Sequence, residues 1–501
     1  MSAKVTLKVI RGPMQGNIYT FEEHDTFIFG RAYDCHARLP SNDKSASRHH
    51  FILEVNPPDA RIRDLGSLNG TYINNIKYGG RSIDETPREA VKRRFPEVDL
   101  KDKDLISVGN TVFTVQIEML AVCCQCGVDI PNNFRRACQW QAGLFICPQC
   151  REQTSLDATV PKAEDRTIPI YLAGARCANC NKPVSSELGN RHHGDYICLD
   201  CRTDATADPV QIIISMLNQT SSSVASTHNE IDGYEPIKKL GEGAMGSVYL
   251  ARRRLDGAVV ALKVMLARIA VDAEARGKFQ REIQVISQLR HTNIVELLDQ
   301  GSVGSGFYFI MELCAGGSLD TLIKRHGGKL PLAQADPIMR ETLAGLTFAH
   351  ENGFVHRDIK PANILLTAEY GGTIKLGDFG LAKSFQLAGL SGLTATGTAG
   401  GTPNFMPREQ LINFKYSKPV SDVWSIAATF YFMLTGQPPR EILPHRDPLE
   451  VILHGKVIPI RERNVEIPDR VARVIDRALS EEISERYQTA GEFRDALINV
   501  L

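Results

Sequence analysis

A chain of 501 residues is too long for a single hydrophobic core, and at roughly 150 residues per domain it predicts three or four units. Its 43% hydrophobic content is that of soluble globular domains, and 58 basic against 58 acidic residues leave no bulk charge to draw it to nucleic acid or membrane, so any such binding has to be local. No apolar run reaches the ~18 residues of a membrane span, and the first ten residues alternate like a strand instead of forming a signal-peptide core, which predicts a cytoplasmic protein.

Residues 1 to about 120 read as short alternating strands separated by Gly, Asn and Asp turns, the pattern of an all-β sandwich. The highly charged stretch 84 to 103 reads as an inserted surface loop or short helix. Within the strands, Phe29-Gly30-Arg31, Ser47-Arg48-His49-His50 and Asp64-Leu65-Gly66-Ser67-Leu68-Asn69-Gly70-Thr71 together resemble the forkhead-associated (FHA) domain. That resemblance implies a loop surface that reads phosphothreonine, with Arg31, Ser47 and Arg48 on the phosphate, Asn69 on the peptide backbone and His50 bracing the loop. The residue types suit the task, because a dianion favours a planar guanidinium fork and a hydroxyl donor.

Eight cysteines follow in four C-x₂-C pairs: Cys123/Cys126, Cys147/Cys150, Cys177/Cys180 and Cys198/Cys201. Gaps of 20 and 17 residues inside successive quartets match the Cys₄ zinc signature. Disulfides are the competing reading, disfavoured in a cytosolic chain. The spacing leaves open whether the quartets are two consecutive ribbons or interleaved as in cross-braced modules. Cys124 and Cys138 are expected as free thiols. A metal-held module this small predicts that zinc loss unfolds residues 122 to 202 alone. Residues 151 to 175 and 202 to 232 have linker composition, although the apolar run Val210–Leu217 is expected to dock on a neighbouring domain. Arg135, Arg136, Arg191, His192 and His193 are read as solvated loop faces, so a nucleic-acid partner is not expected.

Next come Gly241-Glu242-Gly243-Ala244-Met245-Gly246-Ser247-Val248, a glycine-rich turn between strand-like runs, and Val260-Ala261-Leu262-Lys263. A helix pattern with apolar residues at 279, 283, 286 and 289 carries Glu282. Then follow His356-Arg357-Asp358-Ile359-Lys360-Pro361-Ala362-Asn363 and Asp378-Phe379-Gly380. Glycines let backbone N–H groups come close to phosphates, and phosphoryl transfer needs an Asp beside the acceptor hydroxyl, oxygen donors for Mg²⁺ and a cation near the phosphates.

These motifs, in this order, resemble a protein kinase over about residues 234 to 501. The resemblance implies ATP and Mg²⁺ as cofactors and protein substrates. It makes Asp358 the catalytic base, Lys263 the phosphate-holding lysine paired with Glu282, and Asn363 and Asp378 the Mg²⁺ ligands. Lys360 is the family's marker for Ser/Thr acceptors. Gly241, Gly243, Gly246, Val248, Ala261 and Leu365 would enclose the nucleotide, with Met311 as gatekeeper and Glu312 to Cys314 as the adenine-binding hinge. Arg357 before Asp358 implies control by an activation-segment phosphate, for which Thr394 and Thr396 are the expected autophosphorylation sites, with self-association allowing the reaction in trans. Where the family has Ala-Pro-Glu, this chain has Pro407-Arg408-Glu409, and Glu409 is expected to pair with Arg486.

The expected fold is therefore multidomain and α+β overall, with an all-β sandwich, small Cys₄ zinc modules and an α+β bilobal kinase fold. The expected divisions are an FHA domain at 1–121, zinc modules at 122–151 and 176–202, linkers at 152–175 and 203–232, and a kinase domain at 233–501. The expected function is an ATP-dependent Ser/Thr protein kinase regulated by autophosphorylation and phosphothreonine recognition. The alternative is a non-catalytic phosphothreonine-reading scaffold on a pseudokinase platform, against which intact Lys263, Asp358, Asn363 and Asp378 argue.

Overall fold

The structure is a computed structural model that describes residues 3–80, 95–119, 121–122, 129–130, 139–141, 144–146, 176–184, 196–203, 208–220, 231–243, 246–267, 273–303, 305–369, 372–379, 403–412, 417–441 and 448–501. The N-terminal part is a two-sheet sandwich. Strands β1 (Ala3–Arg11), β2 (Ile18–Phe21), β3 (Asp25–Gly30), β4 (Ala37–Arg38), β5 (Phe51–Asn56), β6 (Asp59–Asp64), β7 (Thr71–Ile73), β8 (Ile76–Tyr78), β9 (Glu97–Asp99), β10 (Leu105–Val108) and β11 (Thr111–Met119) follow in chain order. They form sheets ordered β2-β1-β11-β10-β7-β8 and β4-β3-β5-β6-β9. Alternation turns Val5, Leu7, Val9, Phe51, Leu53 and Val55 into the core between them. The charged stretch read as an inserted loop supplies β9, whose Asp99 accepts from Arg61 Nε at 2.6 Å.

Every residue of β5 is buried, which period-2 alternation in a one-faced sheet does not give. Ile52 and its cross-strand partner Ile28 point away from the sandwich core, and with Leu65 and Cys35 they pack on Met406, Leu411, Leu449, Ile452 and Leu453 of the C-terminal part.

Short hairpins β12 (Ala121–Val122) with β13 (Asp129–Ile130), and β14 (Gln139–Gln141) with β15 (Leu144–Ile146), follow. Then come helices α1 (Leu199–Thr203) and α2 (Pro209–Thr220). Within the stretch of linker composition, α2 forms because its apolar run has a surface to cover. Val210, Ile212, Ile213, Ile214 and Met216 join Cys177, Val184, Ile197 and Cys198 in one cluster with Tyr249, Ala251, Val260, Leu262 and Val264 of the next sheet. Tyr249 also donates to Asp208, the residue that opens α2. The second cysteine quartet and this sheet share a core, contacts that the expectation of zinc loss unfolding residues 122 to 202 alone did not include.

That sheet is ordered β16-β17-β18-β20-β19, from β16 (Tyr234–Gly243), β17 (Gly246–Arg253), β18 (Val259–Leu266), β19 (Leu297–Val303) and β20 (Gly306–Met311). Its inner face packs on α3 (Ala273–Ile286) through Phe279, Ile283, Phe307 and Phe309.

The helical lobe contains α4 (Leu319–Arg325), α5 (Leu332–Glu351), α6 (Arg408–Ile412), α7 (Pro419–Thr435), α8 (Pro448–His454), α9 (Ile460–Arg463), α10 (Asp469–Ala478) and α11 (Ala490–Ile498). A three-stranded sheet, β21 (Gly317–Ser318), β22 (Ile364–Leu366) and β23 (Ile374–Leu376), completes it. Nearly all of α7 is buried, and it ends at Gly436, whose φ of 73° only glycine adopts at little cost. Among the described residues no helix is long and apolar enough to cross a membrane.

Candidate active site

The loop between α5 and β22 gathers several polar side chains, and Asp422 anchors it. From the first turn of α7, its buried carboxylate accepts the backbone N–H groups of His356 at 2.7 Å and Arg357 at 2.8 Å, and His350 Nε2 at 2.9 Å. Burial alone would raise this carboxyl, but the His350 contact and the backbone donors hold it below the usual range. His356 donates from Nε2 to the Gly377 carbonyl at 2.9 Å and accepts the Asp358 N–H at Nδ1 at 3.3 Å, which ties this loop to the one after β23. Arg357 and Asp378 both take left-handed backbone, φ 66° and 57°, which costs on the order of 1–3 kcal/mol each and is sustained by these ties.

Asp358, Lys360 and Asn363 form one cluster. Lys360 Nζ lies 3.0 and 2.9 Å from the two Asp358 carboxylate oxygens, and Asn363 Nδ2 donates to the Asp358 carbonyl at 2.7 Å and to Oδ2 at 3.0 Å. Burial pushes the Asp358 carboxyl up, partly offset by Lys360. On the other side of the cleft, Lys263 on β18 is 7% exposed and lies 2.6 Å from Asp378 Oδ1. Burial would raise the Asp378 carboxyl as well, but Lys263 brings it below the usual range. Sequence reasoning pairs Lys263 with Glu282; Glu282 falls on α3, but its side chain lies outside the described residues.

Gly243 and Gly246 pair at the turn between β16 and β17, and Gly241 stands opposite Val248. A Cβ on Gly246, with φ 155°, would sit 2.1 Å from the Val264 carbonyl oxygen, so the turn folds onto β18 only with glycine there. Val248 faces Lys263 and Ala261 faces Met311 across the sheet. Glu312 accepts from Lys375 at 2.7 Å and from the Glu296 N–H at 2.7 Å, fixing the strand exit before Cys314. Burial pushes the Cys314 thiol up to about 11. Leu365 on β22 lies beneath, close to Gly377.

Thr394 and Thr396 lie outside the described residues. Beyond them, α6 makes three successive ties. Arg486 Nη1 and Nη2 reach Glu409 at 2.6 and 3.1 Å, the pairing expected from sequence. Gln410 Nε2 donates to the Arg357 carbonyl at 2.7 Å, one residue before Asp358. Arg408 donates to Asp34 of the sandwich. Asp34 also takes His49 Nε2 at 2.9 Å, and His49 Nδ1 lies 3.4 Å from His454 Nε2. Asp34, His49, His454 and Gln410 were not identified from sequence; the departure at Pro407-Arg408 was the one available signal.

In the sandwich, Gly30 has room for no side chain, since a Cβ would meet the Arg48 carbonyl oxygen at 2.1 Å. The Arg31 side chain donates from Nε to the Ala46 carbonyl at 2.5 Å and from Nη1 to Ser41 at 3.2 Å. Ser47 Oγ accepts the Leu68 N–H at 2.9 Å, and Asn69 Nδ2 donates to the Ser45 carbonyl at 2.8 Å. His50 accepts the Ser47 N–H at 2.9 Å and donates to the Gly70 carbonyl at 3.2 Å, so it joins the two loops as a neutral brace, with burial lowering its proton affinity. Arg31, Ser47 and Asn69 thus meet at the edge of one loop surface.

The second cysteine quartet is assembled. The Sγ atoms of Cys177, Cys180, Cys198 and Cys201 all lie within 4.8 Å of one another, with Cys177–Cys201 at 3.9 Å and Cys180–Cys198 at 3.7 Å. These separations exclude disulfides, at about 2.05 Å, and match the roughly 3.8 Å edge of a thiolate tetrahedron around zinc. Backbone N–H groups of Asn179 and Cys198 point at Cys177 Sγ (3.4 and 3.3 Å), and that of Cys201 at Cys198 Sγ (3.4 Å), as thiolate ligands require. Cys123, Cys126, Cys147 and Cys150 lie outside the described residues.

Comparison with known proteins gives two family matches, Protein kinase domain over residues 234–496 and FHA domain over residues 27–109. Among curated proteins, the serine/threonine-protein kinase PknD of Mycobacterium tuberculosis is 32% identical over 286 residues, 56% of this chain and 41% of that protein. PknB of Mycobacterium leprae is 34% identical over 276 residues, 54% of this chain and 43% of that protein. The chain thus spans about two-fifths of the length of these relatives. A crystal structure of Rad53 1-466 in complex with AMP-PNP aligns over 99% of this chain at 19% identity and a TM-score of 0.44.

Proposed function

The chain belongs to the protein kinase family, and from that premise we propose that it is an ATP-dependent serine/threonine protein kinase whose N-terminal sandwich binds phosphothreonine. The observation that carries this reading is the contact of Lys263, on the strand sheet, with Asp378, from the loop after β23, beside the cluster of Asp358 with Lys360 and Asn363. Phosphoryl transfer asks the protein mostly for positioning and charge. Asp358 orients the acceptor hydroxyl and takes its proton, Lys360 steadies the transferred phosphoryl group, and Lys263 holds the α- and β-phosphates. The carboxylate of Asp378 and the side-chain oxygen of Asn363 are hard donors that suit Mg²⁺ and would hold it, and the bound ion neutralises charge on the phosphate oxygens. Gly241, Gly243, Gly246, Val248, Ala261 and Leu365 enclose the nucleotide, with Glu312 and Cys314 at the adenine edge and Glu282 pairing with Lys263 in the active form.

Phosphothreonine recognition falls to Arg31, Ser47, Arg48 and Asn69. The match of residues 27–109 to the FHA domain supports this, as do the contacts of Ser45 and Ser47 with Asn69 and Leu68 and of Arg31 with Ala46. Zinc belongs to Cys177, Cys180, Cys198 and Cys201, supported by their sulfur spacing, and to Cys123, Cys126, Cys147 and Cys150 by sequence spacing. Autophosphorylation at Thr394 and Thr396, in trans between copies, would order the activation segment through Arg357. The divisions 1–121, 122–151, 176–202 and 233–501, and a cytoplasmic location, belong to the same proposal. Incubating the purified chain with labelled ATP, Mg²⁺ and a general Ser/Thr acceptor protein tests it; no label transfer by folded, metal-loaded protein overturns it.

A further inference from the structure

The sandwich is seated on the part of the helical lobe that leads to the catalytic loop. Its outer-face residues Ile28, Ile52 and Leu65 cover Leu411 and Leu453, and the Asp34 carboxylate joins His49 of the sandwich to Arg408 of α6. Arg48, beside Ser47 in the loop read as phosphate-binding, is tied into this junction through its carbonyl, which accepts the Ala32 N–H at 2.9 Å and the Cys35 thiol at 3.3 Å.

Arg48 lines a cavity of about 560 Å³ together with Arg408, His454, Lys456, Asp476 and Glu481, a size that admits a phosphorylated side chain and its neighbours. Of the two acids, Glu481 is taken by Arg440 at 2.8 Å, and Asp476 accepts the Ile460 N–H at 3.0 Å. Desolvation, with His49, Arg48 and Arg408 close by, pushes His454 down to about 4, and Arg408 is itself paired with Asp34, so Arg48 and Lys456 are the lining cations with no carboxylate partner among the described residues. The Arg48 guanidinium and the Lys456 ammonium, beside the Arg408 fork that Asp34 holds, form a donor set that a phosphate dianion fits. The next-but-one residue after Arg408, Gln410, holds the Arg357 carbonyl beside Asp358.

We propose that this junction binds the phosphate-bearing segment of the acceptor protein itself, so that the preferred substrate is a polypeptide already phosphorylated on threonine a short distance from the residue to be phosphorylated. The proposal rests on the kinase and phosphothreonine readings above and adds the composite site, to which Arg48 comes from one domain and Arg408 and Lys456 from the other.

The test uses the full chain after phosphatase treatment, so that its own phosphates compete with nothing. Peptides carrying one serine acceptor and, at about four to twelve residues on either side, threonine or phosphothreonine are compared; extended chain of that length reaches roughly 13 to 40 Å. For at least one spacing the phosphorylated peptide should show about a tenfold or greater gain in kcat/KM, carried by KM. That ratio should collapse toward one in Lys456→Ala and in Arg408→Ala, yet survive in Asp34→Asn, which loosens the clamp without removing a cation. A flat ratio at every spacing, in a chain that still binds the phosphopeptide and still phosphorylates the plain one, overturns the composite site alone. A ratio kept in both Lys456→Ala and Arg408→Ala but lost in Arg48→Ala also overturns it, because the sandwich then acts alone. Absence of all turnover would instead remove the kinase reading, and absence of phosphopeptide binding the phosphothreonine reading.

Discussion

Lys263 Nζ stands 2.6 Å from Asp378 Oδ1, so a cation from the strand lobe and a carboxylate from the loop after β23 share one contact across the cleft. The pair lies where the nucleotide phosphates and the metal are proposed to bind, and each partner is needed for charge placement there. Lys263→Met and Asp378→Asn should each lower protein phosphorylation by at least about 10²- to 10³-fold, the scale for removing one positioned electrostatic group. Circular dichroism and zinc content should stay those of the parent. A folded variant of either kind with parental turnover would end the assigned roles.

The pH profile follows from Asp358. Burial raises its carboxyl, and Lys360 at 2.9 Å offsets part of that rise. A base with raised proton affinity is lost from the working state as pH falls through that raised value, so the acid limb of kcat/KM should lie above the ordinary aspartate value of about 3.9. Lys360→Met removes the cation that favours the carboxylate. Its residual activity should therefore show an acid limb moved to higher pH, and an unmoved or lowered limb would mean that Lys360 does not set the charge of Asp358.

The residues proposed for catalysis and for zinc could be picked out in sequence because such chemistry demands fixed residue types at fixed local spacings. Asp358, Lys360 and Asn363 lie within six positions, and Cys177, Cys180, Cys198 and Cys201 form two knuckles. The same holds for Glu409 with Arg486, through the family's pattern. The seating of the sandwich on α6 and α8 was not legible, because it depends on the fit of Ile28 and Ile52 to Leu411 and Leu453, which have no periodic relation along the chain. One trace existed: Phe51-Ile52-Leu53 has no polar residue to face solvent, as a one-sided strand would. Helix α2 was expected to dock from its apolar run, but its partner surface on β17 and β18 could not be read from spacing.

Zinc should stabilise the strand lobe as well as the cysteine module, since Cys177, Cys198 and α2 share a core with Tyr249, Leu262 and Val264. Elemental analysis under reducing conditions should give about two zinc per chain, one per Cys₄ set. Chelation, or Cys198→Ser, should lower the first thermal transition of the kinase part and increase amide exchange along β17 and β18. Ile213→Ala, which opens the same core without touching a ligand, should cost about 2–5 kcal/mol and mimic part of the effect. Exchange rates unchanged along β17 and β18 after complete zinc removal would show the module to be thermodynamically separate.

Arg31→Ala should weaken phosphothreonine-peptide binding by about 1.5–3 kcal/mol, the scale for a hydrogen bond to a charged group. Because Arg31 also donates to the Ala46 and Ser41 carbonyls, part of that loss will come from loosening residues 41–47. Arg31→Lys, which keeps charge but not the fork, should recover only a fraction. Isothermal titration of phosphorylated and plain peptides reads both contributions, and unchanged affinity in Arg31→Ala would take Arg31 out of the site.

The clamp between Asp34 and Arg408 should control the order of α6 more than the stability of either domain. Both side chains are largely shielded, at 11% and 30% exposure, yet ion pairs this near a surface are typically worth about 1 kcal/mol or less, too little to hold the sandwich without the apolar contact beneath. Asp34→Asn should therefore leave the domains seated while raising amide exchange over residues 406–412, and Ile52→Asp, which buries an unpaired charge in the apolar contact, should unseat them. If α6 then loosens, Gln410 loses its hold on the Arg357 carbonyl, and the peptide-phosphorylation rate should fall in Ile52→Asp more than in Asp34→Asn. Hydrogen exchange and initial rates measured on the same preparations decide this. Parental exchange over 406–412 in Ile52→Asp would show that α6 is ordered by its ties to Arg486 and Arg357 alone, without help from the sandwich.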